Sequence, residues 1–201
     1  MPIPVCGRLL AAFLCLAVAA RAMIVVPPTF SELVAEAETV VRGVVTEQRS
    51  EEFDSPQGRG IRTLVTLRVE RVLKGKPTET ITLTLLGGTV GRRTLRIDGM
   101  PTFRVGDRQL VFVAGNGRVF CPVVASGHGR FHVQRDATTG REFVARDNGR
   151  PLMSKEEIGT SLSTPQVGVR VTPGSIGIAL ADFESQITSA ITSPRPSATL
   201  P

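Results

Sequence analysis

Cys121, His128 and His132 are the side chains of this 201-residue chain best suited to nucleophilic or metal chemistry, since Cys6 and Cys15 fall in its first two dozen residues. A cysteine with an imidazole base could support acyl transfer, and the same three groups joined by a carboxylate could hold zinc. Their spacing points elsewhere. In His128-Gly129-Arg130-Phe131-His132 the flanking alternation predicts a strand. Arg130, His132 and Gln134 then lie on a wet face, with Phe131 and Val133 facing the core. No carboxylate neighbours either histidine. Cys121 stands between Phe120 and Pro122, in phase with Val119 and Val123, which is the pattern of a buried, inert thiol. No Gly-x-Ser-x-Gly, His-Glu-x-x-His or Ser-x-x-Lys motif occurs. Gly87-Gly88-Thr89-Val90-Gly91 follows a strand but opens no helix, so a turn explains it better than a phosphate cradle. These observations predict a non-enzymatic protein without a cofactor or metal; a metal-binding or thiol-dependent protein using Cys121, His128 and His132 is the alternative.

Charge supplies a second set of candidates. Arg62, Arg68, Arg71, Lys74 and Lys76 form one basic group in the sequence, and Arg92, Arg93 and Arg96 another. Merged on one surface they would attract a polyanion, an anionic lipid surface or an acidic partner. Glu70, Glu79 and Asp98 are interleaved with them, which favours ordinary solvated faces. The chain has neither Trp nor Tyr, the rings on which sugar and single-strand nucleic-acid sites usually stack their ligand.

The compartment is read from the first residues. Arg8 precedes the apolar run Leu9 to Ala20, and the small-x-small triplet Ala20-Arg21-Ala22 follows it. That order predicts a secretory signal peptide over residues 1–22, cleaved after Ala22. The run is shorter than the ~20 residues of a spanning helix. Cleavage removes Arg8 and Arg21, lowering the formal charge from +6 to +4. It also removes Cys6 and Cys15, leaving Cys121 without a disulfide partner, as suits a secreted or periplasmic domain large enough to fold without staples.

The elements that must position these candidates are mostly short strands. Pro27 and Pro28 keep the entry extended, and Thr29 or Ser31 can cap a short helix through Ala37, so residues 23–37 form an N-terminal extension. A β-domain is predicted over 38–147. Val40 to Val45 gives a first strand with a bulge at Gly43, and Ser50 to Gly60 a mobile loop. Val65, Leu67 and Val69 alternate in a second strand, and Ile81, Leu83 and Leu85 in a third closed by Gly87-Gly88. Leu95 and Ile97 mark a fourth. Leu110-Val111-Phe112-Val113 reads as a strand buried on both faces, and Asn116-Gly117 as a hairpin turn returning through Val119 to Val124. Pro122 confines that return to an edge or a bulge. Phe131 with Val133 and Glu142 to Val144 complete seven or eight strands. A C-terminal extension covers 148–192, with a possible short helix from Ser154, a linker from Pro165 to Gly174, and an amphipathic helix bearing Ile176, Leu180, Phe183, Ile187 and Ile191. Residues 193–201 are predicted to be a disordered tail.

Four of these segments carry a resemblance: Glu38 to Val45, Val69 to Gly75, Val105 to Val113, and Gly127 to Val133. Together they resemble the OB-like domains of tissue inhibitors of metalloproteinases and netrin-type modules, and a family of secreted bacterial proteins built on a similar plan. The resemblance implies a small OB-like Greek-key barrel, and association with another secreted or envelope protein, a protease included. Those inhibitors chelate the target's zinc with an N-terminal cysteine, whereas this mature chain would begin at Met23, so no inhibitory residue carries over.

Overall fold

The computed structural model describes residues 26–56, 58–162 and 177–193. The segments predicted as a signal peptide, as a linker from Pro165 to Gly174 and as a tail beyond Ser193, together with Ile176, lie outside the described residues.

The chain is a small, mostly β domain with a short N-terminal helix and a C-terminal helix. Helix α1, Phe30–Glu36, starts where a capping box closes it: Thr29 Oγ1 accepts from the Glu32 N–H at 3.3 Å, and Glu32 Oε2 accepts from the Thr29 N–H at 2.8 Å. At its other end Lys74 Nζ donates to the Val34 and Ala35 carbonyls at 2.7 and 3.3 Å. The strands are β1 Thr39–Ser55, β2 Gly58–Lys74, β3 Thr80–Leu86, β4 Gly88–Val90, β5 Arg93–Leu95, β6 Arg108–Val113, β7 Arg130–Arg135 and β8 Glu142–Arg146. Helix α2 is Leu180–Thr192.

Six strands form one antiparallel sheet in the order β3-β2-β1-β6-β7-β8. Three hairpin-linked strands with the next sheet strand returning beside the first make a Greek key. The edges β3 and β8 are not joined by a ladder among the described residues. Strands β4 and β5 form a separate hairpin in the β3–β6 connection; Gly87-Gly88 closes β3 as expected, and Gly88 also opens β4.

Two corrections concern turns. The polar segment Ser50 to Gly60 is not a loop but the tip of a long hairpin. Its ladder is held by backbone bonds, and the side chains pair across strands: Glu51 lies opposite Arg62, Asp54 opposite Arg59, and Phe53 over Gly60. Polar residues suit this arm because both its faces meet solvent. Asn116-Gly117 does turn the chain, with the Arg118 N–H donating to the Gly115 carbonyl at 2.8 Å, but no strand returns from it. Only one bridge, Val113 to Val123, forms, since Pro122 has no N–H to extend a ladder. Asn116 instead caps the β3 edge, its amide accepting from Thr84 N and donating to the Thr82 carbonyl.

Gly43 sits at a register shift in β1, as expected of a bulge; a Cβ there would lie 2.5 Å from the Arg68 carbonyl oxygen. The β6 run is buried on both faces because the sheet has two covered sides. Leu110 and Phe112 face the helices, joining Phe30, Phe131 and Phe183 in one apolar cluster. Val111 and Val113 face the other way, joining Val65, Leu67, Leu83 and Phe103. Helix α2 docks through Leu180, Phe183 and Ile187, with the Phe183 ring 5.0 Å from that of Phe131.

Candidate functional site

The corner before β7 gathers the two histidines. His128 lies in a 3-10 turn, Ser126–Gly129, and His132 on β7 opposite Gln109. Both imidazoles are held below the ordinary histidine pKa, chiefly by burial, then by Arg146 for His128 and Arg130 for His132. Asp147 faces both rings and opposes the shift, but its carboxylate is already bound. Arg130 Nε and Nη2 donate to Asp147 Oδ1, Nη1 donates to the Thr102 carbonyl, and the guanidinium stacks 4.8 Å from the Phe103 ring centre. Arg130 is therefore 3% exposed and not on a wet face. Phe103, from the connection into β6, covers the side of β7 that alternation leaves open. The glycines of the Gly127-His128-Gly129 corner are packing requirements. A Cβ on Gly129 would lie 2.4 Å from the Val124 carbonyl oxygen, and one on Gly127 2.8 Å from Asp147 Oδ2.

Cys121 is half-buried, and burial raises its pKa despite hydrogen bonds with the Val123 backbone and the Ser126 side chain. It is held as a thiol, the poorer nucleophile. No group of three or more His, Cys, Asp or Glu suited to a metal occurs among the described residues.

Four of the eight basic candidates are already engaged on this chain. Arg62 pairs with Glu51, Arg71 with Glu184 and Arg93 with Glu52, while Lys74 caps α1. Arg68, Lys76, Arg92 and Arg96 are exposed and make no ion pair among the described residues. They lie on β2, in the β2–β3 turn, in the β4–β5 turn and after β5 respectively.

Arg71 belongs to a continuous chain of charges that alternation could not reveal. Glu184 on α2 accepts from Arg71 at 2.7 Å and from Arg42 at 2.5 Å; Arg42 and Arg108 share Glu70 Oε2 at 3.0 and 2.7 Å; Arg108 also binds Glu142. Burial pushes the Glu70 carboxyl up, but its bonds to Arg108 and Arg42 outweigh this and hold it below the usual range. Glu184, placed off the apolar stripe by its sequence position, is 3% exposed and fastens α2 to the sheet.

The most exposed apolar residues near a concavity are Val119 and Phe120, 46% and 50% accessible. They border a groove of about 600 Å³ between the β1–β2 arm, the end of β3 and the Gly117–Phe120 loop. Phe53 and Leu86 add apolar wall, and Arg59, Arg62 and Arg118 line it with no carboxylate among the lining residues. The Arg62 guanidinium lies 5.4 Å from the Phe53 ring centre. The Phe120 carbonyl accepts from Leu86 N at 2.8 Å, which fixes its backbone to the β3 edge while its ring stays in solvent. Its sequence signal was one of phase: Phe120 falls out of step with Val119, Cys121 and Val123. No protein-family model matches the chain, and comparison with curated proteins finds no match.

Proposed function

We propose that the chain is a non-enzymatic binding module, acting outside the cytoplasm, that engages another secreted or envelope protein through the groove beside the β1–β2 arm. The observation that carries this reading is the solvent-exposed Val119-Phe120 pair on a fixed backbone. An aromatic side chain presented at a rigid concavity is the usual energetic centre of a protein interface. Three guanidiniums on the groove and no lining carboxylate favour a partner that inserts an apolar side chain flanked by acidic ones. Each arginine already has a carboxylate on this chain, so charge orients the partner and apolar contact binds it. The protonated Cys121 thiol and the occupied Asp147 carboxylate support a non-enzymatic role. The signal-peptide pattern ending near Ala22 supports the compartment, and the resemblance to netrin-type modules suggests a secreted protease as one partner class.

A photo-cross-linker placed at residue 120 of the secreted chain, used in envelope extract of its own organism, should give one stoichiometric protein adduct. Val119→Ser should remove it. Affinity for that protein should change little with salt. A polyanion ligand bound through Arg68, Lys76, Arg92 and Arg96 would instead lose about 10²-fold between about 50 and 200 mM salt, the fall expected when four charges are neutralised, and that result would replace this reading.

A further inference from the structure

The outer strands of the main sheet are closed by the chain itself. On β3, Asn116 takes Thr84 N and the Thr82 carbonyl, and the Phe120 carbonyl takes Leu86 N. On β8, Val144 N donates to the Ile178 carbonyl at 3.1 Å, the Val144 carbonyl accepts from Leu152 N at 2.9 Å, and Arg146 N donates to the Arg150 carbonyl at 2.8 Å. An inner strand keeps an open edge. Strand β6 pairs with β1 only from Thr39 to Val44, and Asp107 and Gly106 extend the bonding to Val45. A register shift follows, and from Gln48 to Asp54 no backbone group on that side of β1 has a partner among the described residues.

The ladder decides which groups point outward. Leu86 and Thr84 turn their N–H groups away from β2, so their opposite residues Arg62 and Leu64 turn theirs to β1 and bond Glu51 and Arg49. Gln48, Ser50, Glu52 and, by the same alternation, Asp54 therefore present their N–H and C=O groups to solvent. A row of alternating donors and acceptors at this spacing is matched by another extended backbone.

We infer that the strand it takes is the same segment of a second copy of this chain, antiparallel about a two-fold axis at Ser50. Outward residues must oppose outward residues, so the axis passes through a residue, and charge selects which one. An axis at Arg49, Glu51 or Glu52 sets that charge against its own copy, and one at Phe53 sets Glu52 against Asp54. An axis at Gln48 drives Glu52 onto Val44, where β6 already lies. At Ser50, Gln48 faces Glu52, and each Arg49 faces Glu51 of the other copy. Arg49 and Glu51 are also paired within one chain, so the dimer closes a ring of alternating charges about the axis. Asp54 then reaches Thr46, and the hairpin turns away before β6. The interface is small, so the dimer is concentration-dependent. It is independent of the arm groove, which opens on the β3 side.

Sedimentation equilibrium of the secreted chain tests this, with a monomer–dimer equilibrium expected. In hydrogen exchange the Gln48, Ser50 and Glu52 amides should slow as concentration rises, whereas those of Arg49 and Glu51 are bonded within the arm and should not respond. Arg49→Glu and Glu51→Arg should each weaken self-association by about tenfold or more, because like charges then meet on both sides of the axis. Mixed together, the two variants should associate about as tightly as the parent, a rescue that misfolding cannot produce. Phe120→Ser should leave the dimer intact; its loss there would place the second copy in the arm groove and overturn the inference. A chain monomeric at about 1 mM, a dimer unmoved by both charge reversals, or a mixture no tighter than either variant alone would overturn it as well. So would growth beyond dimers, which a two-fold axis excludes.

Discussion

The base of the sheet and the β1–β2 arm are built from the same charged residues, used to opposite effect. At the base, Glu184 on α2 takes two guanidiniums, and Arg42, Glu70, Arg108 and Glu142 continue the alternation across the sheet. In the arm and the Gly117–Phe120 loop beside it, Arg59 and Arg118 are 63% and 68% exposed, and Arg59 stands 3.6 and 3.7 Å from its carboxylates. Exposed pairs of this kind contribute about 0–1 kcal/mol. Charge at the base closes the fold, whereas charge in the arm remains available to a partner.

The base should be where substitutions cost most. Phe131→Ala removes a ring held between Phe112 and Phe183, with centres 5.8 and 5.0 Å away, and should destabilise by about 3–5 kcal/mol in denaturant titration. A cost under about 1 kcal/mol would mean that the helices pack loosely on the sheet.

Glu184→Ala should cost somewhat less, about 2–3 kcal/mol, because Arg42 keeps Glu70 and the half-exposed Arg71 can turn to solvent. Glu51→Ala, which breaks two arm pairs, should destabilise far less than Glu184→Ala. Equal losses in the two unfolding measurements would erase the distinction between base and arm.

Much of the base was legible because its residues obey one rule at a time. Leu110 to Val113 reads as doubly buried and is so, with alternate residues in two clusters, and Leu180, Phe183 and Ile187 dock as their helical spacing predicts. The failures have a common cause: a contact from a distant segment changes what a face means. Arg130 alternates as a wet residue until Phe103 and Asp147 enclose it, and Glu184 reads as solvated until Arg42 and Arg71 are brought over it from the sheet. In the arm the misleading signal was composition. Pro56, Gly58 and Gly60 suggest a loop, yet Gly58, with φ of 113°, is needed only at the hairpin turn itself. Of the candidate site, the cysteine and histidines were singled out and lie buried or half-buried, while Phe53, Val119 and Phe120 were passed over.

The two histidines give the comparison a dependence on pH. His128 faces Arg146 and Asp147 and accepts the influence of the Ile158 carbonyl; His132 faces Arg130, Asp147 and Asp107. Their folded pKa values lie below the unfolded ones, so the unfolded chain binds protons first as pH falls. The stability they contribute is complete above about pH 6.5 and is lost as pH drops through their depressed folded values. Melting temperature should therefore fall between about pH 7.5 and 5.5, and a His128→Asn, His132→Asn double variant should flatten that fall. The arm pairs should persist through this range, because Arg62 and Arg49 hold the Glu51 carboxyl below its usual pKa.

The smallest stability effect belongs to the residue with the largest proposed functional one. The Phe120 ring is half exposed and its backbone carbonyl, not its side chain, ties the loop to Leu86. Phe120→Ser should leave stability within about 0.5 kcal/mol of the parent. The same change should remove the photo-adduct formed from a probe at Arg118 and weaken partner binding by more than about tenfold, the loss expected of an aromatic anchor. Binding that survives Phe120→Ser, with stability unchanged, would show that the exposed ring is incidental and that the partner surface lies elsewhere on the domain. A large loss of stability would show instead that the loop is held by the ring, and the arm would then resemble the base.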